Sequence, residues 1–133
     1  MKYMLDTSTC ILHMKHDQNT LTAFESNKSE GISISSIVLA ELEFGVCNSD
    51  AHERNRNKLI SFLALVETLP FDGADAIVYG IICTDLKRKG TPIGQMDMLI
   101  AAHAKSKGLI IVTNNIREFE RIEDLEMESW YKL

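Results

Sequence analysis

Apolar and polar residues follow two rhythms along this chain, one of period two and one of period near 3.6, and the switches between them mark strands and helices in turn. Lys2 to Leu5 opens as a short buried strand that stops at Asp6-Thr7-Ser8, where Thr7 or Ser8 can cap a helix. The spacing predicts short helices over 9–15 and 19–26. Gly31-Ile32-Ser33-Ile34-Ser35 alternates with period two and predicts the next strand, and Ser35 or Ser36 caps a helix through Val46. The stretch 51–66 is a charged amphipathic helix with Leu59, Phe62, Leu63 and Val66 on one face, followed by a strand over 67–69 before Pro70. A long helix over 73–89 carries Lys87, Arg88 and Lys89 in its last turn and Gly90 just beyond, as a helix C-terminus should. After the loop 91–94, a helix over 95–107 ends at Gly108, and 109–113 is the clearest buried strand. A short charged helix over 116–121 and a final segment through Trp130 and Tyr131 close the domain.

Strands alternating with helices predict an α/β fold, a parallel central sheet covered on both faces, in a single domain spanning 1–133. In such sheets ligands bind beyond the carboxyl ends of the strands, where this reading places Asp6, Ser35-Ser36 and Asn114-Asn115. The composition changes little in that picture. With 45% apolar and 25% charged residues among 133, the chain is an ordinary globule able to bury one core. Two prolines and seven glycines argue against disorder. Cys10, Cys47 and Cys83 are odd in number and widely spaced, so three reduced core thiols are expected rather than disulfides or a zinc knuckle. No secretory leader is evident and apolar runs such as Leu109-Ile110-Ile111-Val112 are too short to span a bilayer, so a cytosolic protein with no membrane partner is expected. A net charge of -5 argues against a general nucleic-acid coat protein but does not exclude a nuclease.

What charge does change is the reading of three acids set in apolar sequence. Asp6 ends the first strand, where it is either a metal ligand or the N-cap of the next helix. Glu41 shares a helical stripe with Ile37, Val38 and Gly45; its plainer reading is a border residue reaching water. Asp97 lies one turn from Ile93, Ile100 and Ala101, on the apolar stripe; a first-turn Asp is favoured by the helix dipole, but the dipole does not explain why it faces inward. Buried acids are costly unless paired or bound to a cation, and no matching buried Lys or Arg is evident. The three together point to a shared divalent metal and phosphodiester chemistry. Thr113, Asn114 and Asn115 follow the last clear strand as turn residues or as members of a water network, and Glu118 and Glu120 are nearby acids, more simply read as solvated. His13 and His16 are read as surface residues, His103 as partly buried packing. Arg54-Asn55-Arg56-Asn57-Lys58 and the group Lys105, Lys107, Arg117 and Arg121 can meet RNA phosphates or form solvated faces.

With those acids in place, the chain resembles the PIN-domain ribonucleases, specifically the VapC toxins of bacterial VapBC toxin–antitoxin pairs. Four pieces in family order carry the resemblance: Met4-Leu5-Asp6-Thr7; Ile34-Ser35-Ser36-Ile37-Val38-Leu39-Ala40-Glu41-Leu42-Glu43-Phe44-Gly45; Pro92-Ile93-Gly94-Gln95-Met96-Asp97-Met98-Leu99-Ile100-Ala101-Ala102-His103-Ala104; and Leu109-Ile110-Ile111-Val112-Thr113-Asn114-Asn115. The resemblance implies a PIN-like α/β/α sandwich and a Mg²⁺-dependent endoribonuclease, with Mn²⁺ as the alternative ion. Asp6, Glu41 and Asp97 carry over as its acids; Asp6 and Asp97 are then the expected ligands, Glu41 orients the attacking water or ligates a second ion, and Thr7, Thr113, Asn115, Glu118 and Glu120 are candidate supporting positions. It further implies a VapB-type antitoxin, an RNA substrate and a homodimer. The segment Thr113 to Arg121 looks like the branch that cleaves initiator tRNA in its anticodon loop. Two positions depart from the family pattern: Ser8 stands where many relatives have Asn, and Asn115 where many have a fourth Asp. The rival readings are a receiver-like signalling domain, which would need adjacent acids after the first strand and a late Lys, and a PIN fold that is catalytically inert.

Overall fold

Tyr3, Met4 and Leu5 form β1 (Tyr3–Leu5), with all three side chains buried, as only a central strand covered on both faces can be. The computed structural model describes residues 1–131. After β1 come α1 (Thr7–Met14), α2 (Gln18–Asn27), a 3₁₀ turn over Lys28–Glu30, β2 (Ile32–Ser35), α3 (Ser36–Cys47), α4 (His52–Leu63) and β3 (Glu67–Leu69). Then follow α5 (Gly73–Lys89), α6 (Gln95–Lys107), β4 (Ile110–Val112), α7 (Ile116–Phe119) and β5 (Met127–Glu128). The sheet order is β3-β2-β1-β4-β5, and every neighbouring pair is parallel. Flanking helices cover it, and the α/β sandwich expected from the sequence is the observed fold.

The chain first winds from β1 outward through β2 to β3, then returns to the other side of β1 with β4. The winding therefore reverses between β1 and β4, and the crevice beyond their carboxyl ends is the natural site of such a sheet. Leu5 lies level with Ile34 on one side and Val112 on the other. Beyond Leu5 the Asp6 N–H still donates to the Val112 carbonyl at 3.0 Å, and the Thr9 hydroxyl donates to the same oxygen at 3.0 Å. Met4, Leu5, Ile34, Ile111 and Val112 fill the centre with Val38 of α3, Ile100, Ala101 and Ala104 of α6, and Phe119 of α7, all fully buried. Each helix that carries a candidate acid thus has an apolar anchor within a few residues of it.

Several local expectations change. The cap of α1 is Asp6 itself, so the helix begins at Thr7 rather than Thr9. Helix α4 spans His52–Leu63 rather than 51–66 because Ala64 is its C-cap and the chain re-forms as β3 at Glu67. Helix α7 stops at Phe119, short of Arg121. The two-residue β5, paired with β4, and the 3₁₀ turn are too short to leave a periodic signature. All three cysteines are free, but only Cys10 is a core thiol; Cys47 is exposed and Cys83 intermediate. His13 is not a plain surface residue either, since its ring lies 4.5 Å from Phe24 and 5.2 Å from Phe62.

Helix α7 is only four residues long and has no side-chain cap, so its position rests on the burial of Phe119. Phe119→Ala is expected to cost about 3–5 kcal/mol of unfolding free energy, the range for removing a buried aromatic ring, measured by urea denaturation.

Candidate active site

Asp6 leaves β1 in an extended conformation (φ -79°, ψ 174°) and turns its carboxylate back over α1. Its Oδ1 accepts the Thr9 N–H at 2.9 Å and the Ser8 hydroxyl at 2.9 Å. Neither bond uses Oδ2. The two readings of Asp6 are therefore compatible: it caps α1 with one oxygen while lying, 4% exposed, at the end of the central strand.

The other hydroxyls of this first turn also face acids or their neighbours. Thr7 donates to Glu41 Oε1 at 2.5 Å, tying α1 to α3. The Ser8 hydroxyl lies against the Asn114 side-chain amide as well as against Asp6. A hydroxyl has one proton, so Ser8 can donate to the Asp6 carboxylate or to the Asn114 side-chain oxygen, not to both at once. Asn114 is thus the late-turn residue that reaches the acids. Asn115 instead precedes α7, its side chain makes no cap bond, and its N–H donates to Thr113 Oγ1 at 2.8 Å. Neither asparagine is left-handed.

Asp97 sits in the first turn of α6, after a Gly94 cap that offers no side chain. Its carboxyl is pushed up from 3.8 to about 6, first by burial and then by the charges of Asp6, Glu118 and Glu41. The helix N-terminus favours an anion there, yet burial and three like charges outweigh it. Asp6, Glu41 and Asp97 are therefore brought within electrostatic reach of one another, together with Glu118. Glu120 is exposed and does not join them. Three of the four basic residues have partners other than these acids: Lys105 bonds the Glu123 carbonyl, Lys107 pairs with Asp72, and Arg121 bonds the Pro92 carbonyl. Arg56 forms two bonds to Glu43, at 2.6 and 2.8 Å.

The donor set is carboxylate oxygen, the chemistry of Mg²⁺ and Mn²⁺ rather than zinc, and uncompensated like charge around Asp97 is what a dication relieves. Among the described residues, however, no three His, Cys, Asp or Glu side chains are gathered into a ready metal-holding group. The acids fit such an ion by chemistry, with their side chains still to close on it.

Sequence reasoning missed the partner of His103. This histidine is fully buried, not partly, with Nδ1 2.7 Å from Ser35 Oγ and Nε2 3.4 Å from Asp75 Oδ2. Asp75, also fully buried, went unremarked, although Asp72-x-x-Asp75 ahead of an apolar helix has the spacing of a capping box.

Residues 3–125 match the PIN domain family. The tRNA(fMet)-specific endonuclease VapC of Salmonella typhimurium is 44% identical over 130 residues, covering 98% of this chain and 98% of its own. Ribonuclease VapC2 of Rickettsia felis is also 44% identical, over 99% of this chain and 100% of its own. Among solved structures, VapBC2 from Rickettsia felis, bound to a DNA fragment from its promoter, superposes with a TM-score of 0.95 at 42% identity. That match covers 98% of this chain and 100% of the other.

The raised carboxyl makes a prediction for the metal-free chain. A folded-state pKa of about 6 against an ordinary 3.8 means that Asp97 favours folding while protonated and gives up that contribution as pH rises from about 4 through about 6. Asp97→Asn is expected to flatten this part of the stability profile and to be the more stable protein at pH 7. Urea denaturation of both proteins in EDTA at pH 4.5 and 7 measures it; parallel profiles would contradict the crowding.

Proposed function

Since the chain belongs to the PIN-domain family and, within it, to the VapC proteins, we propose that its acidic crevice cleaves RNA with the help of Mg²⁺ or Mn²⁺, as the toxin of a toxin–antitoxin pair. The observation that carries this reading is the crowding of Asp6, Glu41 and Glu118 around a half-buried Asp97 at the sheet's switch point. Asp6 and Asp97 offer carboxylate oxygens to the ion, with Asp6 oriented by Thr9 and Ser8. Glu41, held by Thr7, is placed to orient the attacking water. A divalent ion bound there supplies Lewis acidity and offsets the negative charge that builds on the phosphate. Family membership removes the receiver-like rival, and RNA cleavage separates the nuclease from an inert PIN fold.

The substrate we assign is initiator tRNA, cut in the anticodon loop. It is supported by the printed specificity of the Salmonella relative and by the segment Thr113 to Arg121. The location we assign is the cytoplasm, where such a substrate is met; among the described residues no helix is long and apolar enough to cross a membrane. The partner we assign is a VapB-type antitoxin, as in the Rickettsia complex. A groove of about 310 Å³ beside Glu41, lined by Ile11, Met14, Leu42 and Val46, suits an amphipathic segment; an antitoxin Arg or Lys beside it can supply positive charge, and an Arg can form paired bonds to the acids. A homodimer completes the assembly, with Ile77 and Ile81 of α5, 69% and 61% exposed, as the face to be covered.

Two outcomes test this. Purified chain, freed of antitoxin, is expected to cut total tRNA with Mg²⁺ or Mn²⁺ and to stop in EDTA while its circular dichroism is unchanged; mapping the product ends identifies the tRNA and the cut. Activity that survives chelation, or that only zinc restores, contradicts the ion assignment. In cells, the chain alone is expected to arrest growth, and both Asp6→Ala and co-expression of the adjacent antitoxin frame are expected to restore it. Equal arrest by Asp6→Ala would place the toxicity elsewhere.

A further inference from the structure

Ser35, His103 and Asp75 form a buried polar chain that the proposed chemistry does not use. Ser35 ends β2 and caps α3, its Oγ accepting the Ile37 N–H at 3.0 Å. The same oxygen lies 2.7 Å from His103 Nδ1, on α6. On the far side of the ring, Nε2 faces Asp75 Oδ2 of α5 at 3.4 Å, beyond a good hydrogen bond. Asp75 Oδ2 accepts the Asp72 N–H at 2.8 Å, and Oδ1 lies 3.4 Å from the Lys107 ammonium. Phe71 packs edge-on against the imidazole at 5.5 Å.

Serine, histidine and aspartate in this order look like a nucleophile relay, but none of the three has any exposure, so no substrate reaches them. The Ser35 oxygen is also engaged as a cap. The arrangement instead fixes protons. Burial holds the His103 pKa below its ordinary value, so the ring is neutral. With the Ile37 N–H already on Ser35 Oγ, the hydroxyl proton is free to go to Nδ1, which leaves the ring proton on Nε2, facing the Asp75 carboxylate. This tautomer bonds Ser35 and leaves its ring proton facing Asp75 at 3.4 Å.

The ends of this link matter for the site. His103 lies six residues after Asp97 on α6, and Ser35 six residues before Glu41 at the start of α3. We propose that His103 is a positioning residue, whose hydrogen bond to Ser35 joins the helix that carries Asp97 to the helix that carries Glu41 and so sets the separation of the two acids. The Asp75 side is the weaker arm, being longer and lacking hydrogen-bond geometry. The proposal rests on the nuclease reading for its activity measurement but not for its binding measurement.

Two substitutions separate the link from mere packing. In His103→Asn the side-chain amide takes the place of Nδ1 and can still meet Ser35; in His103→Gln the amide reaches instead toward the place of Nε2 and leaves Ser35 unpaired. Ser35→Ala breaks the link from the other side and keeps the test open if a His103 variant does not fold. The full-length chain is assayed twice, for kcat and KM on tRNA with saturating Mg²⁺ and for Mn²⁺ affinity by calorimetry on the metal-free protein. His103→Gln and Ser35→Ala are expected to lower kcat and weaken Mn²⁺ binding about tenfold or more, the usual effect of losing a residue that orients ligands. KM is expected to stay within about twofold, since RNA binding does not depend on the link. His103→Asn is expected to keep most of both. Wild-type kcat and Mn²⁺ affinity in a folded His103→Gln protein overturn the proposal, as does an equal loss in Asn and Gln. A wild-type chain that binds Mn²⁺ but cuts no RNA refutes the nuclease reading alone, and the calorimetry still decides the positioning role; one that does neither overturns both.

Discussion

Carboxylates gathered at one end of a sheet repel one another, and the fold has to hold them there against that repulsion. Burial first, and that repulsion second, push the Asp97 carboxyl up to about 6. No single element bears the repulsion. Asp6 is anchored by the fully buried Leu5 of β1, Asp97 by Ile100 and Ala101 of α6, and Glu118 by Phe119 of α7; Glu41 lies between the buried Val38 and Leu42 of α3. Four anchors in one core cannot be relaxed separately. The repulsion is opposed by the whole packed centre rather than by any local contact.

Cations and acids are nevertheless not in short supply of one another in this chain. Arg56 meets Glu43, Lys89 meets Asp85 and Glu123, and Lys107 meets Asp72. These pairs lie on the outside, where solvent screens them, and none of the charges that act on Asp97 is positive. Inside the crevice the orienting groups are neutral instead: Thr7 on Glu41, and Ser8 and the Thr9 amide on Asp6. A neutral donor fixes the direction of a carboxylate without cancelling its charge. The crevice thereby stays negative, with Asp6 and Glu41 oriented by neutral donors, which an internal Lys or Arg would have prevented.

Much of this was legible from residue order. Alternation at Ile32 to Ser35, the apolar runs at Lys2 to Leu5 and Leu109 to Val112, and the Gly-terminated helices give the parallel sheet, and an Asp directly after a buried strand gives the site its place. Asp97 was legible because an acid on an apolar stripe contradicts its surroundings. Contacts that depend on three-dimensional register were not. Periodicity cannot say that a His six residues past an acid meets a Ser at the end of another strand. Nor can it say that Asn114 rather than Asn115 meets Ser8, since side chains at adjacent positions of a turn have no fixed period. Strand β5 escaped for a different reason: with two residues it exists only through its pairing to β4.

Asn115 illustrates how the tertiary structure redistributes a role. By resemblance, that position would carry a fourth acid in many relatives, and its replacement by Asn suggests a site short of one charge. Yet Glu118, one turn further on in α7, acts on Asp97 ahead of Glu41. A short helix begun immediately after the turn carries its first-turn acid within electrostatic reach of Asp97. A glutamate has one more methylene than an aspartate, so it can cover from the helix a distance that an aspartate covers from the turn. Four acids therefore stand within electrostatic reach of one another although Asn115 is neutral. Their fourth member now depends on Phe119 staying buried beneath α7, which makes the charge of the site a consequence of core packing.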